Sequence, residues 1–506
     1  MPQAGSERRF HEPYLSHHYG RRTAVLRFTT QNYPQIRTLS DDQVREVHFA
    51  SLEMLERTGV EVRSVRALEM LRKAGARVSG ERVRIPSQLV KQAIDSAPER
   101  VVLSRRTGER AMALEEGSVF FGTGSETPNT IDVETRQRRP ATGQDIESMA
   151  RLCDALPNMD FVMTMGIAND APREFAFLYG FIAMMTGTSK PLVFTARDGE
   201  EMEDIYEIAS AAAGGREALR RRPFLIHYAE PISPLIHSPL GVERLLFCAE
   251  RHIPVAYVSG ASAGATLPAT LAGACAVANA ECLSGLLMHQ LASPGAPFIF
   301  GANVSVMDMS TMGYVYGGPE FSLTNAAFAD LARFYRLPVW GLAGASDSKV
   351  VDAQASLEAM CSISTAILAR GNLVHDVGYI ESGLTSSMEL IAICDEIIDM
   401  LGMLYRGIAT DGDRLAADVV DEVGPGGQFL DSDHTLRYFR TEHFLPRLLD
   451  RNNFTKWQAA GSPDLTDRAN ARVRQILATH RPAPLPAEAE AAIEKVLANP
   501  RGRRDA

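Results

Sequence analysis

A chain of 506 residues with 45% apolar and 23% charged side chains has material for a large core, which excludes disorder as its dominant state. Its formal net charge of -10 supplies no basic stripe of the kind a phosphate backbone requires, so no nucleic-acid partner is expected. The six cysteines, Cys153, Cys248, Cys275, Cys282, Cys361 and Cys394, lie far apart with no CxxC pair, which points to reduced thiols in a cytoplasmic protein and away from disulfides or a cysteine-held zinc.

Residues 1–35 read as a polar arm. Arg8, Arg9, His11, His17, His18, Arg21 and Arg22 have no apolar segment behind them, which is not the layout of a signal peptide. Residues 36–117 read as a helical layer. Ser40, followed by Asp41, Asp42 and Gln43, caps a helix in which Val44, Val47, Leu52 and Leu55 recur at helical spacing, ending near Gly59. Further helices are predicted over about 66–73 and 86–97.

From 118 to 404 the rhythm changes. Apolar runs at 119–123, 161–165, 192–195, 224–228, 255–258, 297–300, 339–342 and 373–377 alternate with helical patterns at about 143–154, 172–186, 199–213, 240–252, 266–292, 320–335, 351–370 and 385–403. Continuously apolar strands, each followed by a helix, are what a parallel sheet covered by helices requires, and eight such units predict a closed (β/α)₈ barrel. The small-residue stretch 261–288 is interrupted by Pro268, Asn279 and Glu281, so it reads as a helix packed inside a soluble protein and not as a membrane span. Neither GxGxxG nor GxxxxGK[ST] occurs, which removes the common nucleotide-binding readings. Residues 405–506 form a C-terminal extension with a Gly-rich segment, expected to pack across the barrel or a neighbouring subunit, and a stiff linker at 482–486 leads to a last helix ending near Ala498.

In such a barrel the strand ends converge on one face, so residues just after each apolar run are the candidates for chemistry. They include Ser125 and Glu126, Thr195 and Arg197, His227, Tyr228 and Glu230, Ser259, Asn303, the trio Asp347, Ser348 and Lys349, and His375, Asp376, Tyr379 and Glu381. No HxH, HExxH or GxSxG pattern accompanies them, so no metal site and no serine nucleophile is expected. Two loops stand out. The segment 303–321, NVSVMDMSTMGYVYGGPEF, is long and rich in methionine and tyrosine, and 340–349 sets Trp340 beside small residues and then the charged trio. Asp347, His227 and Glu230 are the candidates for catalytic roles. Tyr228, Asn303, Tyr314, Tyr316, Phe321, Trp340, Lys349, Tyr379 and Arg197 are the candidates for substrate binding, and the long loop 303–321 could enclose an apolar or cationic ligand.

Three segments carry a family resemblance: 55–60 (LERTGV), 341–358 (GLAGASDSKVVDAQASLE), and 424–430 (GPGGQFL) followed by His434 and Thr435. Through them residues 35–460 resemble the trimethylamine methyltransferase family of corrinoid-dependent methyltransferases. The resemblance implies a (β/α)₈ barrel that moves a methyl group from a methylated amine to the Co(I) corrinoid of a separate carrier protein. It implies no tightly bound cofactor of the chain's own, and a homo-oligomer is expected. Family members acting on trimethylamine contain pyrrolysine. This sequence has none, so it resembles the branch that demethylates quaternary amines such as glycine betaine, with the substituted position near Gly344 and Ala345. A sulfonium donor poses the same recognition problem and stays open. So do two other readings: a barrel lyase or aldolase using Lys349 as a Schiff-base amine, and a non-catalytic betaine-binding or scaffold protein.

Overall fold

The computed structural model describes residues 34–501, together with the backbone of a two-residue strand, Leu26–Arg27. The charged residues between Arg8 and Arg22 lie outside the described residues. Seven barrel strands form in chain order: Ser118–Thr123, Leu192–Phe194, Leu225–Ala229, Val255–Tyr257, Phe298–Val306, Val339–Leu342 and Leu373–Val377. The second position of the ring is held by single bridges, Phe161 to Gly122 and Val162 to Leu192, and all ladders around the ring are parallel. The last strand pairs back onto the first, so the sheet closes into the (β/α)₈ barrel that the apolar runs predicted.

The helices stand close to where periodicity placed them, because their ends carry local signals. Thr142 and Asp145 make a capping box for Gly143–Ala155, and Asp198, Ser238, Asp352 and Ser387 cap Gly199–Ala212, Pro239–Arg251, Ala353–Ala369 and Met388–Tyr405. Two starts differ from expectation. Ser259–Ala263 continues as a strand beside 302–306, which delays the next helix to Leu271–Ala292. Thr385–Ser386 pairs with Tyr379–Ile380 and with Asn129, which delays the eighth helix to Met388. Leu271–Ala292 is long and apolar enough to span a membrane, but it is buried between Asp41–Arg57, Pro239–Arg251 and the barrel, as a core helix is.

Alternation along the strands divides the core in two. Side chains of one parity, such as Val119, Phe121, Leu225 and Ala229, pack outward against the helices. Those of the other, Phe120, Phe161, Val193, Ile226, Ala256, Ile299, Trp340 and Leu373, fill the barrel.

Residues 36–117 hold the three expected helices, Asp41–Arg57, Val65–Ala74 and Ser87–Ser96, but also strands. Val60–Val62, Arg77–Ser79 and Arg82–Arg84 form a small sheet that Ile236–His237 joins. More consequentially, Val101–Ser104 and Arg110–Leu114 form a hairpin whose Val101, Leu103, Met112 and Leu114 are buried against the barrel's interior side chains. It closes the N-terminal end of the barrel. The Ser104 amide donates to the Pro223 carbonyl and the Arg106 amide to that of Ser189, both at strand entrances. The Arg106 guanidinium donates to the carbonyls of Ala483 and Pro484, tying the C-terminal linker beneath the plug.

The extension is more structured than its composition suggested, with helices Asp433–Glu442, Leu465–Thr479 and Ala487–Ala498 among shorter ones. Leu465–Thr479 packs on Met388–Tyr405, and Ala487–Ala498 packs on Gly199–Ala212. Between 406 and 464, by contrast, Leu448 is the only buried residue, while Ile408, Leu430, Leu436 and Phe454 are exposed.

Candidate active site

The open end of the barrel is lined by acids and aromatic rings. On the fourth strand the inward parity of Ile226 passes to Tyr228 and then to Glu230. The Tyr228 hydroxyl donates to Glu230, and it receives a hydrogen bond from Asn303 Nδ2 at 2.7 Å. Tyr314 donates to the Asn303 carbonyl at 3.0 Å, which fixes the long sixth loop against the wall. Gly260 stands beside Glu230, where a Cβ would fall 2.7 Å from the carboxylate.

Rings form two connected groups. Trp340, His375 and Tyr228 pack with centroids 4.3 to 5.9 Å apart on strands seven, eight and four. Tyr316 packs on Tyr314, Phe321 and Tyr379 at 5.0 to 6.0 Å. Phe321 is fully buried beneath Tyr316, a support for the cage and not its face. Gly124 has no room for a side chain because the Tyr379 ring occupies that space, and the Tyr379 hydroxyl lies 3.1 Å from Ser125 Oγ.

Asp376 stands among these rings. The ladder of strand eight shifts register between Val374 and Val377, and Asp376 takes a left-handed backbone, φ 77°. This bulge turns it toward its inward neighbour: His375 Nε2 lies 3.1 Å from Asp376 Oδ1, while Asp376 Oδ2 is buried without a hydrogen-bond partner. Since His375 Nδ1 faces the Gly341 carbonyl, which can only accept, the imidazole proton sits there and Nε2 is left to accept from a protonated Asp376. The electrostatics agree. Burial pushes His375 down to about 3, and burial, reinforced by Glu230, holds Asp376 well above the usual carboxylate range.

Glu126 and Glu230 are raised by burial as well. Glu126 accepts from Thr195 and from Thr164, and its charge reaches Glu230. Glu230 keeps accessible side-chain surface at the mouth and is not packed in core. Burial raises Tyr228, Tyr314, Tyr316 and Tyr379 well above their ordinary value, and the charge of Asp376 is felt by all four.

Several residues singled out from sequence stand elsewhere. His227 has the outward parity. It packs on Phe194 between barrel and helices, its Nδ1 3.2 Å from the Phe194 carbonyl, so the histidine expected at the mouth is a buried side chain of the helix layer. Arg197 pairs with its neighbour Asp198 and donates to the Glu174 carbonyl, because a cap aspartate one residue away captures it. Lys349 is exposed with Nζ on the Asp347 carbonyl. Asp347 accepts from the amides of Tyr316 and Gly317 and from Ser382 Oγ, so it clamps loops six and eight together; the following helix is capped by Asp352 instead. Ser259 lies behind the wall near Ser233, with which Glu281 bonds. Among the described residues no group of three or more His, Cys, Asp and Glu side chains is placed to hold a metal ion. A surface cleft at the sealed end carries the pairs Arg100–Glu115 and Arg336–Glu99 and is remote from this chemistry.

A plugged barrel with acids and aromatics gathered at its C-terminal mouth has the layout of a (β/α)₈ barrel enzyme. The sequence pattern of "Trimethylamine methyltransferase (MTTB)" matches residues 8–503, and the chain belongs to that family; it is a methyltransferase. It is 34% identical over 460 residues to trimethylamine methyltransferase MttB of Desulfitobacterium hafniense (strain DSM 10664 / DCB-2), covering 90% of this chain and 92% of that one. It is also 34% identical over 470 residues to the glycine betaine methyltransferase of Desulfitobacterium hafniense (strain Y51), covering 92% and 98%. The crystal structure of the Methanosarcina barkeri monomethylamine methyltransferase overlaps 87% of this chain and 88% of its own, at 11% identity and a TM-score of 0.48.

Proposed function

We propose that this chain transfers a methyl group from a quaternary amine to the Co(I) corrinoid of a separate carrier protein. The single observation that carries the reading is the carboxyl of Asp376, buried among Tyr228, Tyr314, Tyr316 and Tyr379 with one oxygen unpartnered. A tetraalkylammonium offers no N–H, so it is recognised by ring faces and by a carboxylate at longer range, which this chamber provides. Glycine betaine, implied by the sequence resemblance, is one member of that donor class.

The chemistry asks little proton work of the protein. When the methyl carbon leaves a quaternary nitrogen for cobalt, the C–N electron pair stays on nitrogen and a neutral amine departs without protonation. The chain's task is to orient the donor and exclude water. Tyr228, Tyr314, Tyr316, Tyr379 and Trp340 form the walls, Glu230 and, once a bound cation has displaced its proton, Asp376 supply negative charge, Asn303 orders Tyr228, and Asp347 holds the two loops that present Tyr316. A Schiff-base role for Lys349 is disfavoured by its exposure outside the chamber. A cytoplasmic setting and assembly with further copies belong to this reading, with the exposed apolar side chains of 406–464 as the surface for contact between copies.

The test is to mix purified protein with reduced corrinoid carrier and quaternary ammonium donors, and to follow the cobalt spectrum. Donor-dependent loss of the Co(I) absorbance is expected. No change with any quaternary donor, under conditions where the carrier accepts methyl groups chemically, overturns the reading.

A further inference from the structure

We propose that residues 406–447 form an arm that lies on a second copy of this chain, against the outward face of helix Ala353–Ala369, and that two copies exchange these arms reciprocally. This rests on the assembly between copies that the preceding reading includes, and it is independent of the chemistry at the mouth.

The arm is folded without a core. Gly412–Leu415, Ala417–Val423 and Asp433–Glu442 are helices, yet none of residues 406–447 is buried. Ion pairs hold the arm to itself: Arg414 meets Asp411 and Glu442, Arg406 meets Glu442, and Arg437 meets Asp413. Exposed pairs contribute little, and helices this short are marginal in water unless an apolar face is covered. Ile408, Leu415, Val420, Leu430, Leu436 and Leu445 are all exposed. Together these side chains present on the order of 700 Å², close to the roughly 800 Å² per partner of a stable interface.

The same chain carries a face to receive it. Helix Ala353–Ala369 has one charged residue, Glu358, and that charge is turned inward: it accepts from Ser346 Oγ at 2.6 Å and from the Asp347 amide at 2.9 Å. The exposed positions of the helix, Ala353, Gln354, Leu357, Met360 and Cys361, are all uncharged, whereas a helix that faces water carries charged and polar side chains there. The helices packed on either side, Pro319–Tyr335 and Met388–Tyr405, expose Leu323 and Leu404. Within one copy the arm and this face leave each other uncovered.

The point of departure selects the occupant. The Tyr405 hydroxyl lies 2.6 Å from Ser364 Oγ, so the arm leaves beside helix Ala353–Ala369 at the sealed end of the barrel. It returns where the amides of Arg447 and Leu448 donate to Glu396. A carrier has to reach the mouth at the opposite end, so the arm's root is poorly placed to meet it. A second copy offers the uncharged face instead, and reciprocal exchange closes the assembly because each copy gives one arm and receives one.

Sedimentation of the full chain over a dilution series tests this. The wild type is expected to associate. Leu430→Glu with Leu436→Glu on the arm, and separately Leu357→Glu with Met360→Glu on the face, should each weaken association about tenfold or more, because each places carboxylates in an apolar contact. A mixture of the arm variant and the face variant keeps one intact arm on one intact face, so it should associate more tightly than either variant alone. Hydrogen exchange of the wild type should slow in 406–447 and 353–361 together as the chain is concentrated, a measurement that decides even where a variant fails to fold. Association unaffected by either pair of substitutions, a mixture no tighter than its components, or unchanged exchange in both segments overturns the proposal while leaving assembly through another surface. Single copies throughout overturn the assembly as well. Methyl transfer enters none of these measurements, so the enzymatic reading stands or falls separately.

Discussion

The two ends of the barrel are built on opposite principles. At the sealed end, buried cations and amides are met mainly by backbone carbonyls, with Arg106 Nε and Arg370 Nε left without partners. Asn372 receives from the Val339 amide and donates to the Glu115 and Ser118 carbonyls, and the buried Lys190 ammonium donates to the carbonyls of Cys153, Leu156 and Met159, closing the C-terminus of helix Gly143–Ala155. At the open end, Asp376 is buried among rings in a left-handed backbone, it and Asn303 keep bare acceptors, and Glu126 and Glu230 stand nearby with accessible surface. A buried carboxyl with a bare oxygen costs stability unless a ligand meets it, so the acceptors of Asp376 and Asn303 mark the end of the barrel suited to binding.

Substitutions should break this contrast unequally. The largest stability effect is expected at the sealed end: Lys190→Met strands three carbonyls and should cost about 3–5 kcal/mol in denaturant unfolding, with methyl transfer per folded molecule unchanged. At the mouth, Asp376→Asn should leave the unfolding midpoint in place or raise it, while transfer falls about 100-fold, equivalent to about 2.7 kcal/mol. Equal losses of stability and turnover would make Asp376 a structural residue. Tyr316→Leu removes one ring face and should weaken cation binding about tenfold, against no change for a neutral isostere. Lys349→Ala, outside the chamber, should change transfer less than twofold.

The acids add a pH signature. Glu230 and Asp376 have folded values raised above their unfolded ones, so the empty protein binds more protons than the unfolded chain, and its stability should fall as pH rises from the ordinary carboxylate range through the raised values. A bound cation favours the carboxylates, so donor affinity should rise with pH over that interval and protons should be released on binding. The groups around them are Glu126, His375, the four tyrosines and Arg244, whose charge is felt by Glu126 and Glu230; Glu281, His227 and Asp347 lie further out. Calorimetry in buffers of different ionisation enthalpy measures the release directly. An affinity independent of pH between 5 and 9 would remove these carboxyls from recognition.

How much of this was legible in the sequence follows from the range of the interactions. The strands were readable as runs because both faces of each are covered, one by the helices and one by the barrel's own core. Even the 161–165 run was found, although it makes only two bridges. The plug was overlooked despite alternation at Val101 and Leu103 and at Met112 and Leu114, since a hairpin joined to barrel interiors by distant contacts has no local sign of its destination. Tyr228, Asn303, Tyr314, Tyr316, Trp340 and Tyr379 were legible as strand-end or long-loop residues. Position after a strand does not fix parity, however, and His227, one residue before Tyr228, points the other way. Asp376 shared its strand end with His375, and what distinguishes it is a bulge that only the pairing with strand one reveals. Arg197 was misjudged because its partner is its immediate neighbour, an Asp198 occupied as a helix cap.

The hairpin beneath the barrel also has a kinetic meaning. A chamber stoppered at one end has a single doorway, so on the proposed reaction the donor, the spent amine and the carrier's corrin all contend for it. Turnover must then be ordered: the donor enters an open mouth, the carrier docks over it, and the amine is released only after the carrier has left. Excess carrier should therefore act as a competitive inhibitor toward the donor, a queueing effect set by Val101, Leu103, Met112 and Leu114 at the far end from the chemistry.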